Sequence, residues 1–409
     1  MPFHISNLKL LPKEELEEKK EGTYLTIEPE MSSDPLEGFG VGAEAQLFFN
    51  GKKADPFFEY TPYKAELAFT AFYTTKNERE FGLSYQMPYI FHTKWRFFGE
   101  MKYEVAPNKM YFGLDEKTLS PLTNGSQTFS RLEDYENSLT GNKSNYNTYQ
   151  KEEKLINMIG QYSFLDGTIR AMFGFELGFV NTSTPLNDSS LLAIQDSKKS
   201  ILGFGNSFLN IFQAGLVYDT RDLETDPSNG TYAQIYNELS LTSLGSQFNF
   251  NKTAFQYKYF KKLFPGVFKK CVLAARFGIN DIQGSAPFYE YMDQEAGDES
   301  ISLLGGSRTL RGYVENRFIG NVMSFGNVEM RFRFLQHDLF KQHFAWSVVP
   351  FADAGGAWNS LDRIGNIQNI RFAEGLGFRI AWDVNTILRF DYAFSPEGNQ
   401  FFFQLGHAF

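Results

Sequence analysis

The chain has 409 residues, 42% of them hydrophobic, and a formal net charge of −9 from 39 Lys and Arg against 48 Asp and Glu. No eighteen uncharged apolar residues follow one another, which excludes membrane helices, and the acidic balance without a clustered excess of Lys and Arg excludes a nucleic-acid binder. The single cysteine, Cys271, excludes an intramolecular disulfide and a Cys-based zinc site; with five scattered His there is no ligand cluster, so neither metal nor cofactor is expected.

The aromatic share of 17%, with 44 Phe and 21 Tyr, exceeds what a soluble core needs. A barrel that faces lipid and wears two aromatic girdles uses such residues heavily. The start, Met1-Pro2-Phe3-His4, has no basic region followed by an apolar stretch, so an outer-membrane location implies a signal peptide already removed. A cytoplasmic protein is the opposing reading, and it must account for the strand faces below.

The first element is Leu11-Pro12-Lys13-Glu14-Glu15-Leu16-Glu17-Glu18-Lys19-Lys20-Glu21-Gly22, with Pro near a helix start, acids early, lysines late and Gly as terminator. It predicts a short charged helix in an N-terminal segment, 1–23, with Glu15, Glu17 and Glu18 on a solvated face. Three placements stand open: a plug in the lumen, a periplasmic position, or a solvated tail.

Residues 24–409 read as strands. They are expected at 24–31, 38–49, 64–75, 79–88, 94–106, 153–164, 168–180, 208–219, 231–242, 248–260, 270–281, 321–334, 345–355, 369–382, 386–394 and 399–409, most of them near the span of a tilted membrane strand. The period of two is clearest late in the chain. Gln234 and Glu238 oppose Ala233, Ile235 and Leu239; Glu329, Arg331 and Arg333 oppose Val328, Met330, Phe332 and Phe334; Arg389 and Asp391 oppose Leu388, Phe390, Tyr392 and Phe394. The earliest strands alternate poorly. Alternation alone fits a soluble sandwich or a barrel with a wet lumen.

The connections favour the barrel. If the first strand runs outward, the long segments 106–152, 181–207 and 282–320 all fall on the extracellular side, and turns such as Asp383-Val384-Asn385-Thr386 fall on the periplasmic side. The exception is 50–63. Polar runs such as Thr123-Asn124-Gly125-Ser126 and Asn142-Lys143-Ser144-Asn145 make the long loops read as solvated and mobile. Glu290, Asp293, Glu295, Asp298 and Glu299 form an acidic loop cluster, either solvated or a weak Ca²⁺ site; their spacing does not fit an EF-hand. Glu374 falls on an expected lipid face without a physical account. No serine, histidine and acid share a recognisable local context, so an enzyme is not expected.

Three motifs carry more. Tyr218-Asp219-Thr220-Arg221-Asp222, followed by Pro227 and Gly230-Thr231-Tyr232, reads as a turn in which Asp219 and Asp222 accept hydrogen bonds from loop amides and Arg221. Gly305-Gly306 precedes Leu310-Arg311-Gly312-Tyr313, with Pro350-Phe351-Ala352-Asp353-Ala354-Gly355 further on. Gly375-Leu376-Gly377-Phe378-Arg379, Leu388-Arg389-Phe390-Asp391-Tyr392-Ala393 and Gly398 with Phe401, Phe403 and Phe409 close the chain.

From about residue 208 onward these motifs, in this order, resemble the superfamily of barrel-assembly insertases (BamA/TamA-like), two-partner secretion transporters and the bacterial surface antigen domain. Asp34-Pro35-Leu36-Glu37-Gly38-Phe39-Gly40-Val41-Gly42 is similar to the opening of its short members. Leu310 stands where the family usually has a β-branched residue. The polypeptide-transport-associated (POTRA) repeats are not expected, because about two dozen residues precede the first strand.

The resemblance implies a 16-stranded antiparallel transmembrane β-barrel whose sixth extracellular loop folds into the lumen. It implies that Asp219, Arg221, Asp222 and Gly230 form a periplasmic turn, and that Gly398, Phe401, Phe403 and Phe409 form the assembly signal read by the barrel-assembly machinery. An Arg on an inward loop must be paired, and Asp353 and Glu329 are the candidates for Arg311, with Gly312 turning the backbone and Tyr313 packing on the wall. That cluster reads as a structural lock or as a gate. The implied surroundings are outer-membrane lipid and lipopolysaccharide, and the implied role is insertion or translocation of a protein or lipid client. A structural or adhesive surface barrel, or a narrow gated pore, is the alternative.

Overall fold

A computed structural model describes residues 3–34, 38–114, 116–139, 146–184, 189–265, 268–295, 300–339, 342–382 and 386–409. Sixteen strands form one sheet: β1 Gly22–Asp34, β2 Gly38–Gly51, β3 Ala65–Thr74, β4 Arg79–Met87, β5 Trp95–Met110, β6 Thr148–Phe164, β7 Ile169–Ser183 and β8 Gly205–Asp219. The second half adds β9 Gly230–Ser240, β10 Asn249–Lys262, β11 Lys270–Ser285, β12 Val322–Leu339, β13 Gln342–Trp358, β14 Ile370–Trp382, β15 Thr386–Ser395 and β16 Gly398–Leu405. Each strand pairs antiparallel with its neighbours in sequence, as consecutive hairpins dictate. Every expected strand is present. The largest shifts are at the strand expected from 153, which begins at Thr148, and the one expected to end at 334, which runs through a bulge between Arg333 and Leu335 to Leu339.

The two faces of the sheet differ as a lipid-embedded barrel requires. Outward side chains are large and apolar on every part of the circumference, among them Leu25, Ile27, Phe69, Phe173, Phe212, Ile235, Phe277, Val328, Phe372 and Phe401, all solvent-accessible. Trp346, Phe378, Phe390 and Phe403 pack side by side round β13–β16, with successive ring centroids 5.7, 6.4 and 4.9 Å apart, an aromatic girdle near one rim. Inward side chains are charged. On β1–β5 they line water rather than protein: a cavity of about 310 Å³ is bounded by Glu44, Glu80, Ser84, Gln86, Glu100 and Arg308.

The barrel is nearly closed. Among the described residues no hydrogen-bonded ladder joins β1 to β16, although the two strands touch. β16, with eight residues, is the shortest of the sixteen, and a cavity of about 150 Å³ opens between Pro29 and Glu30 on one side and Phe403, Gln404 and Leu405 on the other.

Two expectations need correction, and two open points gain an account. The final strand stops at Leu405, not 409: Gly406 has φ +72° and the tail turns into the lumen, where Phe409 packs among Phe260, Val272 and Ala274 beneath the Arg276 guanidinium. The long loops are not simply solvated. Their polar runs hide apolar residues such as Tyr111, Leu192, Phe288, Tyr289 and Met292, which pack with Val180, Leu209 and Ile282 of the strands into a folded extracellular cap. Glu374 sits in regular register with Ala352 and Phe394, so neither a bulge nor a misassigned face explains it. It lies four residues below the extracellular start of β14, within snorkelling reach of the headgroups. The connection 50–63 is long because it seats the N-terminal segment, as described below. Residues 35–37, 142–145, 298–299 and 383–385, which carry parts of the expected opening, loop, acidic cluster and turn, lie outside the described residues.

Candidate functional site

The loop between β11 and β12 enters the lumen and delivers Arg311 to the inner wall of β12–β15. The guanidinium is fully buried. Its backbone N and Nε donate to Asp353 Oδ2 at 3.1 and 2.8 Å, Nη2 donates to Asp353 Oδ1 at 2.9 Å, and Nη1 reaches Glu329 Oε1 at 2.7 Å and Asp391 Oδ2 at 3.1 Å. The ring of Phe351 lies 3.5 Å from its Cζ. A planar fork with fixed donors suits this bidentate geometry, which an ammonium cannot reproduce.

The three carboxylates are tied to the wall in turn. Arg331 Nε donates to Glu329 Oε2 at 2.9 Å, Arg379 Nη1 to Asp391 Oδ1 at 2.6 Å, and Asn327 Nδ2 to Asp353 Oδ1 at 2.7 Å. Gly377 stands opposite Asp391 in the ladder, and a Cβ there would fall 2.4 Å from Asp391 Oδ1. The missing side chain makes room for the Arg379–Asp391 bond. Around Arg311, Gly312 takes φ +95° against Phe394 and Ser395, and Tyr313, buried, packs on Phe318 with its hydroxyl donating to the Phe372 carbonyl at 3.3 Å. Arg389 Nη1 holds the Ser307 carbonyl of the same loop at 3.0 Å.

Asp353 and Glu329, the sequence-based candidates, thus both meet Arg311. Asp391, Arg331, Arg379, Arg389 and Asn327 were not assigned to it from sequence. Alternation had placed Asp391, Arg331 and Arg389 on inward faces, which was the available signal.

The turn after β8 is a second charged cluster. Asp219 is fully buried and accepts from Arg221 N and Nε, both at 3.0 Å, from Arg221 Nη2 at 3.1 Å and from Arg170 Nη1 at 3.3 Å. Asp222 Oδ1 accepts from the amides of Leu223, Ser228 and Asn229, closing the loop on itself. Gly230 has φ +115°, and a Cβ would meet the Thr220 carbonyl oxygen at 2.3 Å. Gly230→Ala is therefore expected to destabilise the barrel by about 1–3 kcal/mol from backbone strain before the clash is added, read as a lower unfolding midpoint in detergent.

Lys9, which no sequence signal singles out, completes this cluster, with Nζ 3.0 Å from Asp219 Oδ2 and 3.6 Å from Glu224 Oε1. Burial pulls its ammonium below the ordinary lysine pKa, against the pull of the two carboxylates. The segment that carries it crosses the periplasmic mouth. Ile5 packs with Phe57 and Tyr89, the Ser6 amide donates to the Asp166 carbonyl at 2.8 Å, and Leu11 packs with Leu16 and Leu223 while its amide donates to the Glu59 carbonyl at 2.9 Å. Beyond a helix at Lys13–Glu18, Lys19 Nζ donates to the Phe58 and Thr61 carbonyls, both at 2.6 Å.

Of the closing residues, Phe401 is exposed on the lipid face and Phe403 stacks in the girdle, whereas Phe409 is in the lumen. Gly398, at φ +146°, opens β16.

Comparison with known proteins gives a family and a fold. Residues 63–409 match the model of the Omp85 superfamily domain, and residues 1–64 match that of a domain of unknown function, DUF5982. No curated protein matches the sequence. BamA from Haemophilus ducreyi lacking POTRA domains 1–3 is similar in structure, with TM-score 0.54 and 16% identity over 95% of this chain and 70% of that one. CdiB from Escherichia coli gives TM-score 0.57 and 10% identity over 94% of this chain and 62% of that one.

Proposed function

The chain belongs to the Omp85 superfamily of outer-membrane barrels, and from that premise we propose that it assists insertion or translocation of protein or lipid through the seam between β1 and β16. The observation that carries this reading is the seam itself, which has no ladder among the described residues and is bordered by the shortest strand. In lipid, unpaired backbone groups are costly, so the two edges offer hydrogen bonds that a client strand can take up by β-augmentation. The Arg311 cluster is the lock that fixes the inward loop, and the N-terminal segment is a plug at the periplasmic mouth. Lipid, lipopolysaccharide and the assembly machinery that inserts this barrel are its partners.

The folded extracellular cap favours one other reading, a surface barrel without assembly activity. Planar-bilayer conductance tests the plug and the lock. Deletion of residues 2–22 is expected to raise a small, flickering wild-type conductance several-fold, because it removes Lys9, Leu11 and Lys19 from the mouth, and Arg311→Ala to do so by freeing the loop. Silence in all three proteins would mean a lumen sealed by more than these elements, and would leave lateral insertion at the seam or a purely surface role.

A further inference from the structure

The hairpin between β10 and β11 lies at the short-turn end of the barrel, opposite the cap in which Phe250, near the start of β10, is buried. Down the outward side of β10 the side chains run Phe255, Tyr257, Tyr259 and then Lys261, all exposed, whereas Gln256, Lys258 and Phe260 between them are buried on the inward side. A strand leaving hydrocarbon meets its environments in that order, because tyrosine suits the headgroup boundary and lysine the charged layer beyond it. Lys261 therefore stands at the membrane surface.

The turn keeps to the lipid side. Phe268 packs against Phe332 on the outward face of β12, with ring centroids 5.6 Å apart, and Phe264 packs against Phe268 at 6.3 Å. Both turn phenylalanines are exposed, and Phe264 sits at φ +49°, a backbone conformation that a bulky side chain rarely adopts, although no protein packing buries its ring in exchange.

The lysines of this segment sort by side. Lys270, inward, is 2.7 Å from Asp226 Oδ2, and Lys258, inward, lies over the Tyr232 ring. Lys261 and Lys269 are exposed at the two ends of the turn, and neither has a carboxylate partner among the described residues. Residues 263–268 carry no charge of their own.

We propose that this hairpin holds the headgroup of an anionic phospholipid, with Lys261 and Lys269 on the phosphate and Phe264 and Phe268 among the first acyl carbons. Rings alone would take any lipid; two ammonium groups select by charge. A zwitterionic headgroup carries an ammonium that balances its own phosphate, whereas phosphatidylglycerol leaves a full negative charge for the lysines. The partner is a lipid rather than a protein because Phe268 continues the outward face on which Val328 and Phe332 meet hydrocarbon. The site is away from the seam and does not depend on insertase activity.

The test releases the purified protein from nanodiscs of equal phosphatidylglycerol and phosphatidylethanolamine and weighs the retained lipids by native mass spectrometry. Wild type is expected to keep phosphatidylglycerol over phosphatidylethanolamine by roughly tenfold, and Lys261→Gln with Lys269→Gln to lose most of that preference. Lys198→Gln with Lys199→Gln, an equal charge change on the exposed cap, is expected to retain it. A phosphatidylglycerol with a photoactivatable diazirine in its headgroup is expected to label residues 261–270 of wild type, a readout that needs no variant. Equal retention of the two lipids by wild type, or a preference that survives loss of both lysines, would overturn the proposal. So would a wild type that keeps lipopolysaccharide in place of phosphatidylglycerol when offered both.

Discussion

Arg311→Ala is expected to lower the stability of the barrel by about 3–5 kcal/mol, the usual loss when one partner of a buried ion pair is removed. The cost centres on Asp353. Glu329 keeps Arg331 and Asp391 keeps Arg379, but Asp353 loses both of its guanidinium contacts and retains only the backbone amide of residue 311 and Asn327. Its carboxylate is 2% exposed, so water cannot take the guanidinium's place. Adding Asp353→Asn to Arg311→Ala should therefore recover stability, with a coupling of about 0.5–3 kcal/mol in the double-mutant cycle. Arg311→Lys should recover only part, since an ammonium cannot span Asp353, Glu329 and Asp391 at once. Urea unfolding in micelles, followed by tryptophan fluorescence, gives all four values. Strictly additive losses would show that the loop is held by its apolar contacts, Leu310 and Tyr313, and not by the charge cluster.

The strands and the membrane were legible because both follow from local rules. Period two and turn residues place each strand, and the aromatic excess has no other home than a lipid face and girdles. The first two partners of Arg311 were legible for a narrower reason: Glu329 lies on an alternating face and Asp353 in a recognisable strand motif. Asp391 was placed on the inward face of its strand, yet its approach to Arg311 depends on barrel curvature that brings β15 round to β12. Lys9 was illegible. A lysine in an N-terminal segment reads as solvated, and only the closed mouth shows that Asp219 and Glu224, over two hundred positions away, leave a gap for it. The cap and the tail failed for the same cause. Composition averages over a loop, whereas packing depends on the few apolar side chains in it, such as Phe288 and Met292, or on a single Phe409 that the strand pattern assigns to lipid.

Cross-linking β1 to β16 is expected to abolish the proposed insertion activity while leaving the barrel folded. Pro29 and Leu405 both border the seam cavity, so Pro29→Cys with Leu405→Cys presents two thiols across it. The one native thiol, Cys271, is fully buried and can be replaced by Ser beforehand. A short, reductively cleavable bismaleimide then bridges the seam. The physical argument is a comparison of costs. Separating two laddered strands gives up roughly one kcal/mol net per hydrogen bond in water, and more where lipid offers no replacement. The β1–β16 seam has no such ladder to lose among the described residues, so it is the place where the barrel parts first. A covalent bridge removes that freedom and nothing else. In proteoliposomes the bridged protein should insert a client barrel at least tenfold more slowly than the single-cysteine controls, and cleavage of the linker should restore the rate. Heat-modified migration on a gel should be the same before and after bridging. Full activity in the bridged state would exclude the seam as the route and leave passage through the lumen as the one the remaining geometry supports.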